Sequence, residues 1–446
     1  MNWAILLTFS GIMYFISPRL KPGNRLAQFF SGKEENGSEI GLKTLTSSLL
    51  ISWIFAKSIY NSASLGASFS MVGGIAYATY WLSFIVAGFT IYRLKTAGFN
   101  SIHEFLNTKF GKGATWLFSF ILVFRLWNEI WSNTMVVGQF FGPNGSGSFI
   151  AATWVTTALV LLYSLKSGLR SSILTDVIQM TLTTFLVLLL LGFILPKTDL
   201  PMALSNTHWS LSGGVDLILV AFIQIWSYPF HDPVMTDRGF ITDKKKMLKG
   251  FILSGILGFI FIFIFSFIGI YFKTAGLEGN VIIETAKSFG LPLVIIMNVI
   301  MLSSASSTID STFTSIGKLV SIDLFSKIKM DKILLARISM ITLAILGNIM
   351  IHAGPSILSA TTVSGTMVIG LAPVFIFSSW KRAGKASYYG SVLVGIIFGF
   401  MLATKSISGS VGAGKYGVLL YTNILGTIIS FGLFILLAYL VPRRER

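Results

Sequence analysis

The chain has 446 residues, 53% of them hydrophobic and only 11% charged, with a mean hydropathy of +0.77. So much apolar surface cannot be hidden in one globular core and must use lipid as its solvent. The net charge of +17 would point to nucleic acid in a soluble protein, but here it has a topological source and no nucleic-acid partner is expected. The absence of cysteine excludes disulfides, thiolate metal sites and thiol nucleophiles.

Apolar runs long enough to cross about 30 Å of hydrocarbon recur from end to end, which favours an all-α polytopic membrane protein over a β-barrel. In chain order the predicted spans are 2–18, 44–67, 70–93, 114–140, 148–165, 169–196, 214–236, 248–273, 281–318, 333–352, 356–380, 386–404 and 416–441, about thirteen in all. The first carries neither a basic leader nor an A-x-A-like cleavage site and is expected to be a retained helix. The segment 281–318 exceeds one crossing and is expected to tilt or run past the interface. No linker separates a soluble domain, so residues 1–446 form a single membrane domain. With alternate loops assigned to one side, that side carries 27 of the 34 Lys and Arg residues and the opposite side five, leaving Lys57 and Arg125 within spans. This asymmetry places the N-terminus outside and the C-terminus in the cytoplasm of a multi-pass cell-membrane protein.

Two spans are interrupted. The second contains Ser58-Ile59-Tyr60-Asn61-Ser62-Ala63-Ser64-Leu65-Gly66 and the seventh Ser227-Tyr228-Pro229-Phe230-His231-Asp232-Pro233. They open two five-helix blocks, 44–196 and 214–380, with 2–18 an extra N-terminal helix and 386–441 two C-terminal helices. Paired breaks of this kind point to an inverted repeat with a binding site at the unwound midplane; small residues at either break would also allow plain close helix packing. Ionisable residues at membrane depth are functional candidates because of their cost there. They are Lys57, Arg125, Glu129, Asp176, Asp216, Asp232 and Asp310. Arg125 and Glu129, at i and i+4, are placed to pair with each other, and Asp216 near a span end is expected to be solvated.

Three segments resemble the sodium/solute symporter family, which includes the bacterial proline and sodium/galactose symporters. Ser167-Gly168-Leu169 through Thr175-Asp176-Val177-Ile178-Gln179 is similar to the family's G-G-[LF]-x-A-V-x-x-T-D-x-x-Q motif. Ser101-Ile102-His103-Glu104-Phe105-Leu106 with Lys109-Phe110-Gly111 resembles its T-x-x-E-[FY]-[LIV]-x-x-[RK]-[FY] segment. Ser304-Ala305-Ser306-Ser307-Thr308, ending in Ser321-Ile322-Asp323-Leu324, resembles its A-x-x-[ST]-[ST] helix and [ST]-x-D-[IL] signature. The resemblance implies the five-plus-five fold first described for the leucine transporter and a sodium (Na⁺) site between the second and ninth spans. Ser307 and Thr308 match its hydroxyl positions, Ser304 its upstream carbonyl position, and Ala56 and Ile59 its two carbonyls on the broken helix. Hydroxyls and carbonyls suit a hard cation; these serines can instead bond their own i−4 carbonyls.

Two positions depart from the family. Lys57 stands where relatives carry a small or polar residue, and its ammonium can replace the ion, snorkel, or pair with Asp310. Asp310, with Asp176 and Ser311, falls at a second cation site of some members. A Lys57–Asp310 charge pair is the preferred expectation, since an isolated buried charge is unfavourable. Residues expected to face a small polar organic solute are Ser58, Asn61, Tyr80, Asn128, Gln224, Trp226 and His231. The resulting reading is sodium-coupled symport by alternating access. The alternatives are a proton-coupled or sodium-independent transporter with Lys57 replacing the ion, or a solute-sensing membrane protein, which the short cytoplasmic tail disfavours. No nucleophile–base–orienter set or metal-ligand spacing supports an enzyme, and nothing in the sequence sets the oligomeric state.

Overall fold

The structure, a computed structural model, describes residues 1–33, 39–354 and 357–443, with the side chains at 359 and 360 excepted. Arg444 and Arg446, counted in the charge asymmetry above, lie outside the described residues. All regular structure among the described residues is helical. The helices are α1 (Asn2–Ile16), α2 (Arg25–Ser31), α3 (Leu42–Trp53), α4 (Ala56–Ala78), α5 (Ser83–Thr96), α6 (Ile102–Phe110), α7 (Lys112–Gly138), α8 (Gly147–Ser167), α9 (Leu169–Ile194), α10 (Leu200–Ser205), α11 (Val215–Gln224), α12 (Pro233–Phe240), α13 (Lys244–Thr274), α14 (Val281–Ser288), α15 (Leu291–Lys318), α16 (Lys332–Ile349), α17 (Ser359–Met367), α18 (Leu371–Ile376), α19 (Lys385–Ala403) and α20 (Gly417–Leu440). Among the described residues eight stretches are long and apolar enough to cross a membrane: Ala56–Thr96, Gly147–Ser167, Leu169–Lys197, Lys244–Thr274, Leu291–Leu324, Lys332–Ala353, Lys385–Ala403 and Gly417–Leu440.

The interruptions have local causes. The first break lies at Ile54–Phe55, between α3 and α4, upstream of the residues expected to form it; Ser58 through Gly66 are helical. Those residues are small for a different reason. Ser62 Oγ donates to Ile262 O at 2.6 Å, and a side chain at Gly66 would meet Ser266 O at 2.2 Å, so α4 packs backbone to backbone against α13. The turn between the second and third expected spans is a kink inside α4 at Phe69 and Ser70, where Ser70 takes φ 53° and its hydroxyl donates to Ala203 O. The second break is where the sequence placed it: α11 stops at Gln224, Tyr228–His231 form a 3₁₀ turn, and Asp232 caps α12, accepting from Met235 N at 3.2 Å. Pro229 and Pro233 have no amide to continue the ladder.

Two expected single spans are divided. The range 281–318 is α14 and α15, separated by Gly290 at φ 82° and followed by Pro292; 356–380 is α17 and α18, with Pro373 unable to bond back to Ile369. Asn280 caps the N-terminus of α14, its side-chain oxygen accepting from the amides of Ile282 and Ile283.

The chain forms two compact units. One comprises Met1–Gly74, Leu126–Thr207 and Ile260–Ile357, the other Ile75–Arg125, His208–Phe259 and Leu358–Arg446. In the first, α15 packs along α9, with α3, α8 and α16 beside it; in the second, α19 packs along α20, with α17, α18 and α11 beside them.

Candidate functional site

In the first unit, α3, α8, α9 and α15 bring their few polar residues to common buried faces. Ser48 and Ser52 are one turn apart on α3, and Ser172, Thr175, Asp176 and Gln179 share one face of α9. All are essentially fully buried, as are Ser307, Asp310 and Ser311 on α15. Ser48 Oγ donates to Asp176 Oδ2 at 2.6 Å, Ser52 Oγ to the same oxygen at 3.4 Å, and Ser307 Oγ to Asp176 Oδ1 at 2.5 Å. Asp310 Oδ1 accepts from Ser172 at 2.8 Å and Ser311 at 3.2 Å; its Oδ2 accepts from Tyr163 and Thr175, each at 3.0 Å. Ser311 Oγ stands 3.1 Å from both Ser52 Oγ and Ser172 Oγ and thereby links the two carboxylates. Every hydrogen-bond partner of Asp310 among the described residues is a hydroxyl. Removing a carboxylate from water is costly unless a positive charge or a full set of donors compensates it. Two carboxylates in a cage of hydroxyls, excluded from water, offer hard oxygen donors of the kind an alkali or alkaline-earth cation takes. No group of three or more His, Asp or Glu side chains gathers among the described residues, so a transition-metal donor set is not formed there.

This arrangement brings Asp176, Asp310 and Ser311, the residues named for a second cation site, into one hydrogen-bonded cluster with Ser307. The residues of the first expected sodium site divide. Ser307 faces Asp176, whereas Thr308 Oγ1 donates to Ser304 O at 2.9 Å along its own helix. Ser304 Oγ is buried with no hydrogen-bond partner among the described residues. Ala56 and Ile59 lie inside α4 rather than in the break.

The expected Lys57–Asp310 pair is not formed. Lys57 Nζ donates to Glu129 Oε1 at 2.6 Å, both side chains being buried. Asn133, one turn on from Glu129, donates to Glu129 Oε2 at 2.9 Å and accepts the Lys57 backbone amide at 3.3 Å. The physical reason is the shifted break. Lys57 sits in the first turn of α4 with its amide against α7, and its side chain reaches the carboxylate there, while Asp310 is already saturated by four hydroxyls. Arg125, expected to pair with Glu129 at i, i+4, has a carboxylate partner far off in sequence. In the second unit Arg125 Nη2 donates to Asp232 Oδ2 at 2.9 Å, and the guanidinium lies 5.4 Å from the Tyr228 ring centre. Asp216, expected to be solvated, is buried; its carboxylate accepts from the amides of Tyr416 at 2.7 Å and Leu217 at 2.8 Å.

Of the expected solute-facing residues, Ser58, Asn61 and Asn128 are buried in the first unit, where Asn128 Oδ1 accepts from Trp131 Nε1 at 3.1 Å. In the second unit Tyr80 donates to Gln224 Oε1 at 2.8 Å, and Gln224 Nε2 donates to Asn423 Oδ1 at 2.9 Å and lies 3.4 Å from Thr366 Oγ1. His231 Nδ1 is 2.5 Å from Tyr228 O, and its ring meets the Tyr228 ring edge-on. Trp226 is 42% exposed and stands apart from this buried network, a correction to its expected place. Sequence reasoning missed Ser48, Ser52, Tyr163, Ser172, Thr175, Thr366 and Asn423. The i, i+4 spacing of Ser48 and Ser52, and the isolated amide of Asn423 within an otherwise apolar span, were the available signals.

No family model matches the chain, and no curated protein matches it. Solved structures do. A Na⁺-coupled sialic acid symporter in a substrate-bound outward-open state superposes with a TM-score of 0.79 at 17% identity, covering 100% of this chain and 98% of the other. The transporter MhsT in complex with L-phenylalanine gives 0.59 at 14% identity, over 88% and 98% of the two chains. Mhp1, a nucleobase-cation-symport-1 family transporter with bromovinylhydantoin bound, gives 0.57 at 13%, over 94% and 95%. At these identities the likeness is one of architecture, and the chain has the leucine-transporter-type fold that its motifs implied.

Proposed function

We propose that the chain is a secondary active transporter that couples sodium entry to the movement of a small polar organic solute across a cell membrane by alternating access. The observation that carries this reading is the hydroxyl cage around Asp176 and Asp310, built from α3, α8, α9 and α15. Asp176 with Ser48, Ser52, Ser307 and Ser311 would take the cation. Asp310 would hold the surrounding hydroxyls in place and supply the second negative charge. Ser304 and Thr308 supply oxygens for a further sodium site beside α4, with the carbonyls of Ala56 and Ile59. The fold shared with a sodium-coupled sialic acid symporter agrees with a cation-coupled cycle, and 44–196 and 214–380 would form the two halves of an inverted repeat.

The solute would be read by the neutral amide and hydroxyl groups of Tyr80, Gln224, Thr366 and Asn423, which suit a polar molecule of sugar, amino-acid or vitamin size. Replacement of the ion by Lys57 has less support, because its ammonium is engaged by Glu129. Purified protein in proteoliposomes, screened with radiolabelled polar solutes, tests the reading. Accumulation of a solute only under an inward sodium gradient is expected; equal accumulation without sodium overturns the coupling. The proposed topology places residue 243 in the cytoplasm. A cysteine introduced there, in a chain with no native cysteine, should label only after permeabilisation; labelling from outside intact cells reverses the orientation.

A further inference from the structure

The end of α20 carries a second kind of polar construction, on the surface. Arg443, three residues beyond the helix, donates from its amide to Arg382 O at 2.9 Å and from Nη2 to Thr108 O at 3.1 Å. It also lies against Gly384, where an added side chain would touch the Arg443 backbone at 3.3 Å. Lys385, the first residue of α19, lies over Gly111, whose φ is 85° and where an added side chain would meet Lys385 Cε at 3.0 Å. Lys112 follows directly. Four exposed cations, Lys112, Arg382, Lys385 and Arg443, are thus drawn from three separate stretches of chain into one patch. None is ion-paired to a carboxylate among the described residues. Like charges gathered at one spot repel each other, and an unpaired group of four calls for an anion.

What adjoins the patch identifies the anion. The Arg382 guanidinium sits 5.1 Å from the Tyr439 ring centre, and Trp380 lies 5.7 Å from the same ring. Leu436, Tyr439 and Leu440, in the last turns of α20, are 51%, 59% and 68% exposed. Cations beside aromatic rings, continuous with an apolar helix face, match a molecule with a charged head and hydrocarbon tails. We infer that this corner of the second unit is a binding site for an anionic phospholipid, its phosphate held by Arg382, Lys385 and Arg443 and its acyl chains lying along α20. A soluble anion would have no use for the exposed leucines.

Native mass spectrometry of the detergent-solubilised full chain, titrated with phosphatidylglycerol or phosphatidylcholine, tests the inference. Each basic residue near a lipid surface contributes about fivefold in affinity, so Arg382→Gln/Lys385→Gln should weaken phosphatidylglycerol retention about 25-fold. The charge-conserving Arg382→Lys/Lys385→Arg protein should retain it, as should Lys273→Gln/Lys405→Gln, which removes as many charges elsewhere. Three results would overturn the assignment: wild-type retention by the glutamine pair, equal retention of the two lipids by the wild type, or displacement of the lipid by inorganic phosphate at equal concentration.

Discussion

Two buried carboxylates, Asp232 in the second unit and Asp310 in the first, are compensated in different ways. In the second unit Asp232 faces the Arg125 guanidinium at 2.9 Å and caps α12 with its other oxygen, so the charge is matched within the fold. In the first unit Asp310 is surrounded by four hydroxyls, and the hydroxyl of Ser311 connects it to the serines around Asp176. Hydroxyls orient dipoles toward a carboxylate but bring no net charge, whereas Arg125 brings a full positive charge to Asp232; on the proposed reading the hydroxyl cluster is where a cation would bind. Burial is common to both carboxylates; what differs is the charge of the partner.

Substitutions at these positions should separate the two kinds of compensation. The largest expected effect is on the matched pair. Arg125→Met strands Asp232 and should cost about 3–5 kcal/mol of stability, read as loss of monodisperse protein on size exclusion, with Arg125→Met/Asp232→Asn recovering much of it. Next comes Lys57. A double-mutant cycle of Lys57→Met with Glu129→Gln, read by thermal unfolding in detergent, should show about 1–3 kcal/mol of coupling. The same cycle with Asp310→Asn should be additive to within about 0.5 kcal/mol. A smaller effect belongs to the hydroxyls: Ser307→Ala should raise the sodium needed for half-maximal uptake by roughly tenfold, equivalent to about 1–2 kcal/mol. Thr308→Ala should do less, because that hydroxyl bonds its own helix.

The smallest concerns Lys109 on α6, outside the spans, whose ammonium donates to Ser378 O at 2.5 Å. Burial, and then the nearby Arg443 charge, push its pKa down from 10.5 to about 8. Between these two values the unfolded chain binds the proton more fully than the folded one, so the stability linked to Lys109 rises with pH across that window. The melting-temperature difference between wild type and Lys109→Met should shift in favour of the wild type from pH 8 to pH 10, and a flat difference would reject the linkage.

Much of the helical layout was legible because lipid demands apolar runs of fixed length, and because proline punctuates the second break. The S-x-x-E start of α6 is another readable signal: Ser101 Oγ accepts from Glu104 N at 3.0 Å, and Glu104 reaches back to Asn100 N at 2.8 Å. Gly168 in the Thr175-Asp176 motif is explained by φ 58° and by Phe29 O, which an added side chain would meet at 2.6 Å. The first break was misread because Ser58 through Gly66 are small for packing against α13, and small residues look alike whether a helix unwinds or is closely approached. The partners of Lys57 and Arg125 were misassigned for a related reason. Both form ion pairs across large sequence separations, which spacing along one helix does not reveal. Asp176 and Asp310 were found from their cost in a membrane, but the hydroxyls that cage them come from four helices, α3, α8, α9 and α15, which no single stretch of sequence brings together.

Binding of the coupling ion by the Asp176 cage is tested by equilibrium binding of radioactive sodium to the purified full chain. Wild-type protein should bind sodium saturably. Asp176→Asn should lower that affinity by about two orders of magnitude, while a melting temperature near that of the wild type shows the fold intact. Undiminished sodium binding by a folded Asp176→Asn protein, or no saturable binding by the wild type, would contradict the account.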